Sequence, residues 1–178
     1  MPWKTIFFAI AQVYLLMGIA ATYNETFMDV RRIIAESYLA AGFTDEFTVK
    51  LAAISTLKHF KSGEYMMRDD DDSRDLMILA DGKAEVRTQA EDVIGFLKSP
   101  MPFGEVAFLD GKRRSGSVFA VQDCTVVQIP EQPLRDLLRS EPEMAVRALM
   151  NLSQILCDRL RKANQQIAAL NAIEEATL

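Results

Sequence analysis

The stretch "PFGEVAFLDGKRRSGSVFA", residues 102–120, decides how the rest of the chain is read. It sets Lys112, Arg113 and Arg114 between Gly111 and Gly116, in a chain where 25 acidic residues outnumber 20 basic ones. Basic residues flanked by glycines suit a small anion, and they equally suit an exposed hairpin tip. Two familiar motifs do not fit. Six residues, not four, separate Gly104 from Gly111-Lys112, and Arg113 stands where a P-loop needs Ser or Thr. Ser115 and Ser117 flank Gly116, but the only histidine is His59 in "TLKHFKSGE", so a nucleophile elbow lacks its base. What remains is Phe-Gly-Glu-x-Ala, a gap with a turn at Asp110-Gly111, then Arg-Ser-Gly-Ser-Val. That pattern suits a small sugar phosphate. Turn amides near glycines form anion-binding nests, and Arg114 can give a phosphate two parallel charge-assisted hydrogen bonds. Glycine at 104 permits close backbone approach, while Glu105 can accept from a sugar hydroxyl.

The totals narrow the possibilities. A length of 178 residues allows one full core with an extra element at an end. A net charge of −5 argues against a nucleic-acid surface, which shows a basic stripe. Cys124 and Cys157 fit no metal spacing and read as reduced core residues. One histidine and no CxxC leave no zinc site and no Ser-His-Asp triad, so no metal ligands are assigned and His59 reads as a half-exposed strand residue.

Upstream, "WKTIFFAIAQVYLLMGIAATY" carries no charge between Lys4 and Glu25. As a helix, residues 5–23 would be about 28 Å long, close to a bilayer's hydrocarbon thickness. Trp3 and Tyr23 flank it where interfacial aromatics belong. A buried helix and a cleaved signal peptide compete with this reading, and a single transmembrane helix over 1–24 is preferred. "NETFMDVRRIIAESYLAAG" follows as an amphipathic connector helix over 25–42, and Arg31 and Arg32 place its side in the cytoplasm. A short helix is expected over "TDEFTVKLAAISTL".

After Lys58 the runs become short, alternating and punctuated by Gly, Asp and Pro, as in "RDLMILADGKAEVRT" and "GSVFAVQDCTVVQIP". They predict a compact barrel or jelly roll. The acidic cluster at 69–72 lacks EF-hand spacing and reads as a solvated turn. From Pro133 helical periodicity returns, broken once by Pro142. Leu149, Leu156, Leu160, Ala163, Ile167 and Leu170 form a coiled-coil-like seam. Folding of this helix back onto its own domain is the other reading, and each can hold for different turns.

The stretch 102–120 resembles the phosphate-binding cassette of the cyclic-nucleotide-binding domain family, found in catabolite activator protein, kinase regulatory subunits and cyclic-nucleotide-gated channels. Phe103-Gly104-Glu105 and Arg114-Ser115-Gly116-Ser117-Val118 carry the likeness. It extends through "LMILADGKAEV", "VVQIP" and "RSEPEMAVRALMNLSQILCDRLRKANQQI", so that it covers roughly residues 38–167. Gly116 replaces the usual alanine, and "SPMP" replaces the usual Gly-Asp before Phe-Gly-Glu.

The resemblance implies an α+β fold. A jelly-roll-like β-roll is flanked by helices, preceded by the single transmembrane helix and followed by a long C-terminal helix. The boundaries expected are 43–138 for the nucleotide-binding roll and 139–178 for lid and dimerisation helices. Glu105 would hold the ribose 2′-hydroxyl and Arg114 the cyclic phosphate of cAMP, preferred to cGMP. Gly104, Ser115 and Ser117 would complete the cradle, and Asn164 on the lid helix would reach the base. Arg113 is expected to face solvent. The expected protein is a membrane-anchored regulatory module at the cytoplasmic membrane, with its nucleotide domain in the cytoplasm. It needs no cofactor and binds no nucleic acid, and its helices meet a second copy or a larger membrane complex. The rival is a nucleotide-free accessory subunit of such a complex. An enzyme is disfavoured, because phosphodiesterases generally need metal ligands. Too few residues follow the lid helix for a helix-turn-helix, and one apolar span cannot form a channel pore.

Overall fold

The structure is a computed structural model that describes residues 20–177, with side chains over 25–173. Helix α1 spans Ala20–Glu36, a 3-10 turn Tyr38–Ala40 and helix α2 Asp45–Ala53. Eight strands follow: β1 Thr56–Phe60, β2 Tyr65–Met67, β3 Leu76–Asp81, β4 Lys83–Arg87, β5 Val93–Lys98, β6 Met101–Phe103, β7 Ser117–Ala120 and β8 Cys124–Ile129. Helix α3, Glu105–Asp110, interrupts them between β6 and β7, and helices α4 Glu131–Ser140 and α5 Pro142–Thr177 close the chain.

The strands make two four-stranded antiparallel sheets, ordered β1-β8-β3-β6 and β2-β7-β4-β5. The period of two along β3 and β8 explains why helices accompany this roll. Met77, Leu79, Cys124 and Val126 face the space between the sheets, with Phe103, Leu97, Val118 and Ala120. Leu76, Ile78, Val127 and Ile129 face outward, and their apolar surface is covered by Val30 and Ile34 of α1, Leu51 of α2, Leu134 of α4 and Met144 and Leu152 of α5. The run "LMIL" is continuous because both faces of its strand are buried.

Local signals set the helix ends. The Thr44 hydroxyl caps α2 by accepting from the Phe47 amide at 3.3 Å. Pro142 opens α5, where its missing N–H costs nothing. Asn151 ties α5 to the 3-10 turn by donating to the carbonyls of Leu39 and Ala41 at 2.7 and 3.0 Å.

Several expectations need correction. Of the transmembrane helix expected over 1–24, residues 1–19 lie outside the described residues, and residues 20–24 belong to α1. Among the described residues no helix is long and apolar enough to cross a membrane. The boundary expected at 138/139 falls inside α4. Cys157 is exposed, while Cys124 is buried. Cys157 lies five residues after Leu152, well over a full turn, and so faces away from the domain. His59 is exposed and reaches the Thr125 hydroxyl at 3.2 Å.

Helix α5 has two regimes. Met144, Ala148 and Leu152 are buried, whereas Leu160, Ile167 and Leu170 are 63%, 55% and 65% exposed. Leu152→Ala is therefore expected to cost about 2–5 kcal/mol in urea unfolding. Leu170→Ala should change the stability of a single copy by less than about 0.5 kcal/mol. If α5 pairs with a second copy, Leu170→Ala should instead remove a concentration dependence of the unfolding midpoint. A large loss at Leu170 without such dependence would contradict this division of the helix.

Candidate functional site

The site begins with a glycine that nothing else could replace. Gly104 sits at φ 84°, in the left-handed region, at the junction of β6 and α3. A Cβ there would lie 2.6 Å from Arg114 Nη1 and 2.9 Å from the Asp75 carbonyl. The freed space lets the chain turn directly into α3, whose first residue is Glu105. Glu105 is thus carried into the interior, where it is fully buried.

Arg114 enters from the other side, on the segment between α3 and β7, and is 4% exposed. Its Nη1 donates to the Gly104 carbonyl at 3.0 Å. Its Nη2 donates to the Ser73 hydroxyl at 3.1 Å and to the Asp75 carbonyl at 2.7 Å. All three acceptors are neutral oxygens, and no carboxylate of the described residues pairs with this guanidinium directly. Burial draws the Arg114 pKa below its ordinary value, against the opposing pull of Asp75, Asp71, Glu105 and Glu131. Arg114 Nε has no partner, and neither does Glu105 Oε2; both atoms are buried. A buried donor and a buried acceptor left unmatched are uncommon.

Both groups border one cleft of about 800 Å³, within the range of small-ligand sites. Its walls are Val86 of β4, Ile94 and Phe96 of β5, Phe103 of β6, the segment 114–116, and a face of α5 formed by Ile155, Asp158, Arg159, Lys162 and Gln166. The cleft therefore has a charged end and an apolar wall.

The neighbouring basic residues have other tasks. Arg113 is half-exposed and pairs with Asp70 at 2.9 Å and Asp72 at 3.0 Å. The backbone between 70–71 and Arg114 is bonded in both directions, Asp70 N to Arg114 O and Arg114 N to Asp71 O, each at 3.0 Å. The acidic cluster at 69–72 is thus a clamp on the arginine pair rather than only a solvated turn. It accounts for two of the three adjacent basic residues in an acidic chain: Arg114 points inward, and Arg113 is neutralised outside.

Of the candidate residues, Gly104, Glu105, Arg114 and Ser115 come together on the cleft. Ser117 does not line it; its hydroxyl is buried and accepts from the Asp69 amide at 3.0 Å, which holds the clamp. Asn164 does not line it either. Nine residues, roughly two and a half turns, separate Asn164 from Ile155, so it faces the opposite side of α5. The residue overlooked in the sequence is Arg159. Its Nη1 donates to Glu105 Oε1 at 2.7 Å, and its Nη2 to the Pro102 carbonyl at 2.9 Å. The signal was present: Leu152, Ile155 and Arg159 follow at steps of three and four, which sets a charge on the inward face.

Comparison with known proteins agrees with this geometry. Residues 57–141 match the family model described as the cyclic nucleotide-binding domain. Glutaminase 2 of Bradyrhizobium diazoefficiens is 30% identical over 149 residues, which make up 82% of this chain and 24% of that protein. The chain thus spans about a quarter of the length of that relative. Among solved structures, a cyclic nucleotide-binding domain from Methylobacillus flagellatus superposes with a TM-score of 0.71 at 20% identity, covering 81% of this chain and 83% of that one. The regulatory domain of Toxoplasma gondii PKA, solved with cAMP, gives 0.65 at 15% identity and covers 80% of this chain and 52% of that one.

Gly104→Ala tests the construction of the site. The substitution forces a strained φ and a backbone contact at Asp75 O, so a stability loss of about 1–3 kcal/mol is expected by urea unfolding. An unchanged midpoint would mean that the turn into α3 does not depend on glycine.

Proposed function

The chain carries a cyclic nucleotide-binding domain, and we propose that its cleft takes a cyclic mononucleotide, cAMP in preference to cGMP, as a regulatory signal. One observation carries this reading. Arg114 is a buried cation among neutral oxygens with an unused Nε, and beside it Glu105 has an unused Oε2. A cyclic phosphate supplies the missing negative charge and an acceptor for Nε. A ribose hydroxyl supplies a donor for Oε2. Few ligands offer an anion and a hydroxyl so close together on one rigid ring. The apolar wall of Ile94 and Phe96 suits a purine face.

Ser115 borders the cleft beside Arg114. Threonine is the usual residue there in the family's cGMP-selective sites, and serine also occurs in cAMP binders, which supports the preference for cAMP. The nucleotide-free accessory role would leave a buried charge and two polar atoms unmatched permanently, a cost that a purely structural domain has no reason to keep. We propose a regulatory rather than enzymatic role for this domain. The output is proposed to be a membrane partner, or a second copy met along the exposed stripe of α5. Anchoring by residues 5–23, with the nucleotide domain in the cytoplasm, is proposed from their apolar composition and from Arg31 and Arg32.

Equilibrium titration with cAMP and cGMP tests the central claim. Arg114→Ala should weaken binding by roughly two to three and a half decades, since removing one partner of a buried charged pair costs about 3–5 kcal/mol. Arg113→Ala should change affinity by less than about tenfold, because its partners are exposed. Tighter cGMP than cAMP binding would reverse the ligand assignment, and wild-type affinity in Arg114→Ala would place the ligand elsewhere. For the anchor, the full chain should resist carbonate and high-salt extraction from membranes, while a chain starting near residue 24 should be soluble. Full-length protein recovered in the soluble fraction would remove the anchor from the proposal.

A further inference from the structure

The helices cover the outer face of one sheet, β1-β8-β3-β6. The outer face of the other, β2-β7-β4-β5, is left without such a helical layer among the described residues. Register places one side chain from each of its strands in a single row: Tyr65 is opposite Phe119, Phe119 opposite Glu85, and Glu85 opposite Phe96. Their chain neighbours Ala84, Val118 and Ala120 point into the core, so the row points out. Tyr65 and Phe119 meet edge to face, with ring centroids 5.0 Å apart. Phe96, on the edge strand where this face meets the cleft, is 52% exposed.

A cation lies over each ring: Arg68 over Tyr65 at 3.7 Å, Arg87 over Phe119 at 3.8 Å and Lys83 over Phe96 at 4.7 Å. They are not neutralised alike. Arg87, in the middle, bonds Glu85 at 2.7 Å and Glu91 at 3.1 Å. At the ends, the side chains of Arg68 and Lys83 form no ion pair with a carboxylate of the described residues, and neither does Lys98, directly opposite Lys83. Two lysines opposed on neighbouring strands repel each other, and here they stay unmatched in a chain of net charge −5. The face thus has matched charge at its centre and unmatched positive charge at both ends. Its aromatic and arginine side chains are those that anchor protein interfaces.

We propose that the open face of this sheet docks an acidic segment of another protein, one with carboxylates at both ends of a short apolar stretch. At about 4.8 Å per strand the row is about 14 Å long, the reach of about four extended residues. The end carboxylates meet Arg68 and the Lys83–Lys98 pair, and the apolar middle lies over the rings. A nucleic-acid strand fits less well, because its evenly spaced phosphates would pass over Glu85 and Glu91. A bilayer also fits less well, because α1, which leads back to the apolar run 5–23, packs on the opposite sheet. The proposal does not rest on the ligand of the cleft.

The test selects a displayed library of random peptides against the full chain. The enriched sequences are expected to carry acidic residues about three to five positions apart around apolar ones. Fluorescence anisotropy with the enriched peptides should then show binding that weakens as salt is added. The combined variant Arg68→Glu, Lys83→Glu and Lys98→Glu should bind them at least about tenfold more weakly, with its urea unfolding still cooperative. Should that variant fail to fold, Arg68→Gln, Lys83→Gln and Lys98→Gln together carry the same comparison. No enrichment, enrichment of sequences without acidic residues, or equal binding by wild type and variant would overturn the proposal. Tighter binding of oligo-dT or of phosphatidylserine vesicles than of the peptides, lost in the variant, would overturn it in favour of nucleic acid or membrane. A concentration-dependent mass of the chain alone that the variant abolishes would make a second copy the occupant and overturn it as well.

Discussion

A guanidinium taken out of water needs hydrogen bonds on every side and a negative charge nearby, and the surroundings of Arg114 are arranged around that need. Two carbonyls and a hydroxyl meet three of its requirements. One of those carbonyls belongs to Gly104, so the residue must lack a side chain for the guanidinium to approach. The same carbonyl receives the first helical turn of α3, through the Phe108 amide at 3.4 Å. The acidic loop at 69–72 holds the backbone of Arg114 and occupies Arg113, which prevents the two arginines from exchanging roles. None of these contacts supplies a full counter-charge. That deficit distinguishes a binding site from a buried ion pair kept for structure.

The fold's contribution is to make such a pocket rigid. One sheet is buried on both faces, between the second sheet and the helices, and Leu76, Ile78, Leu79, Val126, Val127 and Ile129 are fully buried in it. Asp75, at the mouth of this sheet, fixes three elements: it bonds the Gln128 side chain, accepts from the Glu131 amide at 2.9 Å and lends its carbonyl to Arg114. The start of α4, the interior strand β8 and the buried arginine are thereby tied to one residue.

What the sequence made legible was chemistry held close together along the chain. Phe-Gly-Glu and Arg-Ser-Gly-Ser-Val each fall within a few residues, so their spacing could be read without a structure. The continuous apolar run "LMIL" and the short, β-branched "CTVVQI" announced the strands for the same reason. What failed depended on tertiary register. Ser117 was assigned to the cradle because it lies near Arg114 in sequence, but its hydroxyl is committed to an amide 48 positions away. Asn164 was assigned by residue type alone, whereas the phase of α5 is set by the burial of Leu152 and Ile155. Arg159 sat in phase with those two residues, yet its partner Glu105 is 54 positions distant, beyond any local pattern. The six residues of α3 are too few to show a helical period.

The length of α5 has a mechanical consequence. Eighteen residues follow Arg159 to the helix end at Thr177, an arm of roughly 27 Å at 1.5 Å per residue. An arm of that length turns a small pivot into a large stroke: a tilt of about 10° at Arg159 sweeps the far end through about 5 Å, close to one full helical turn.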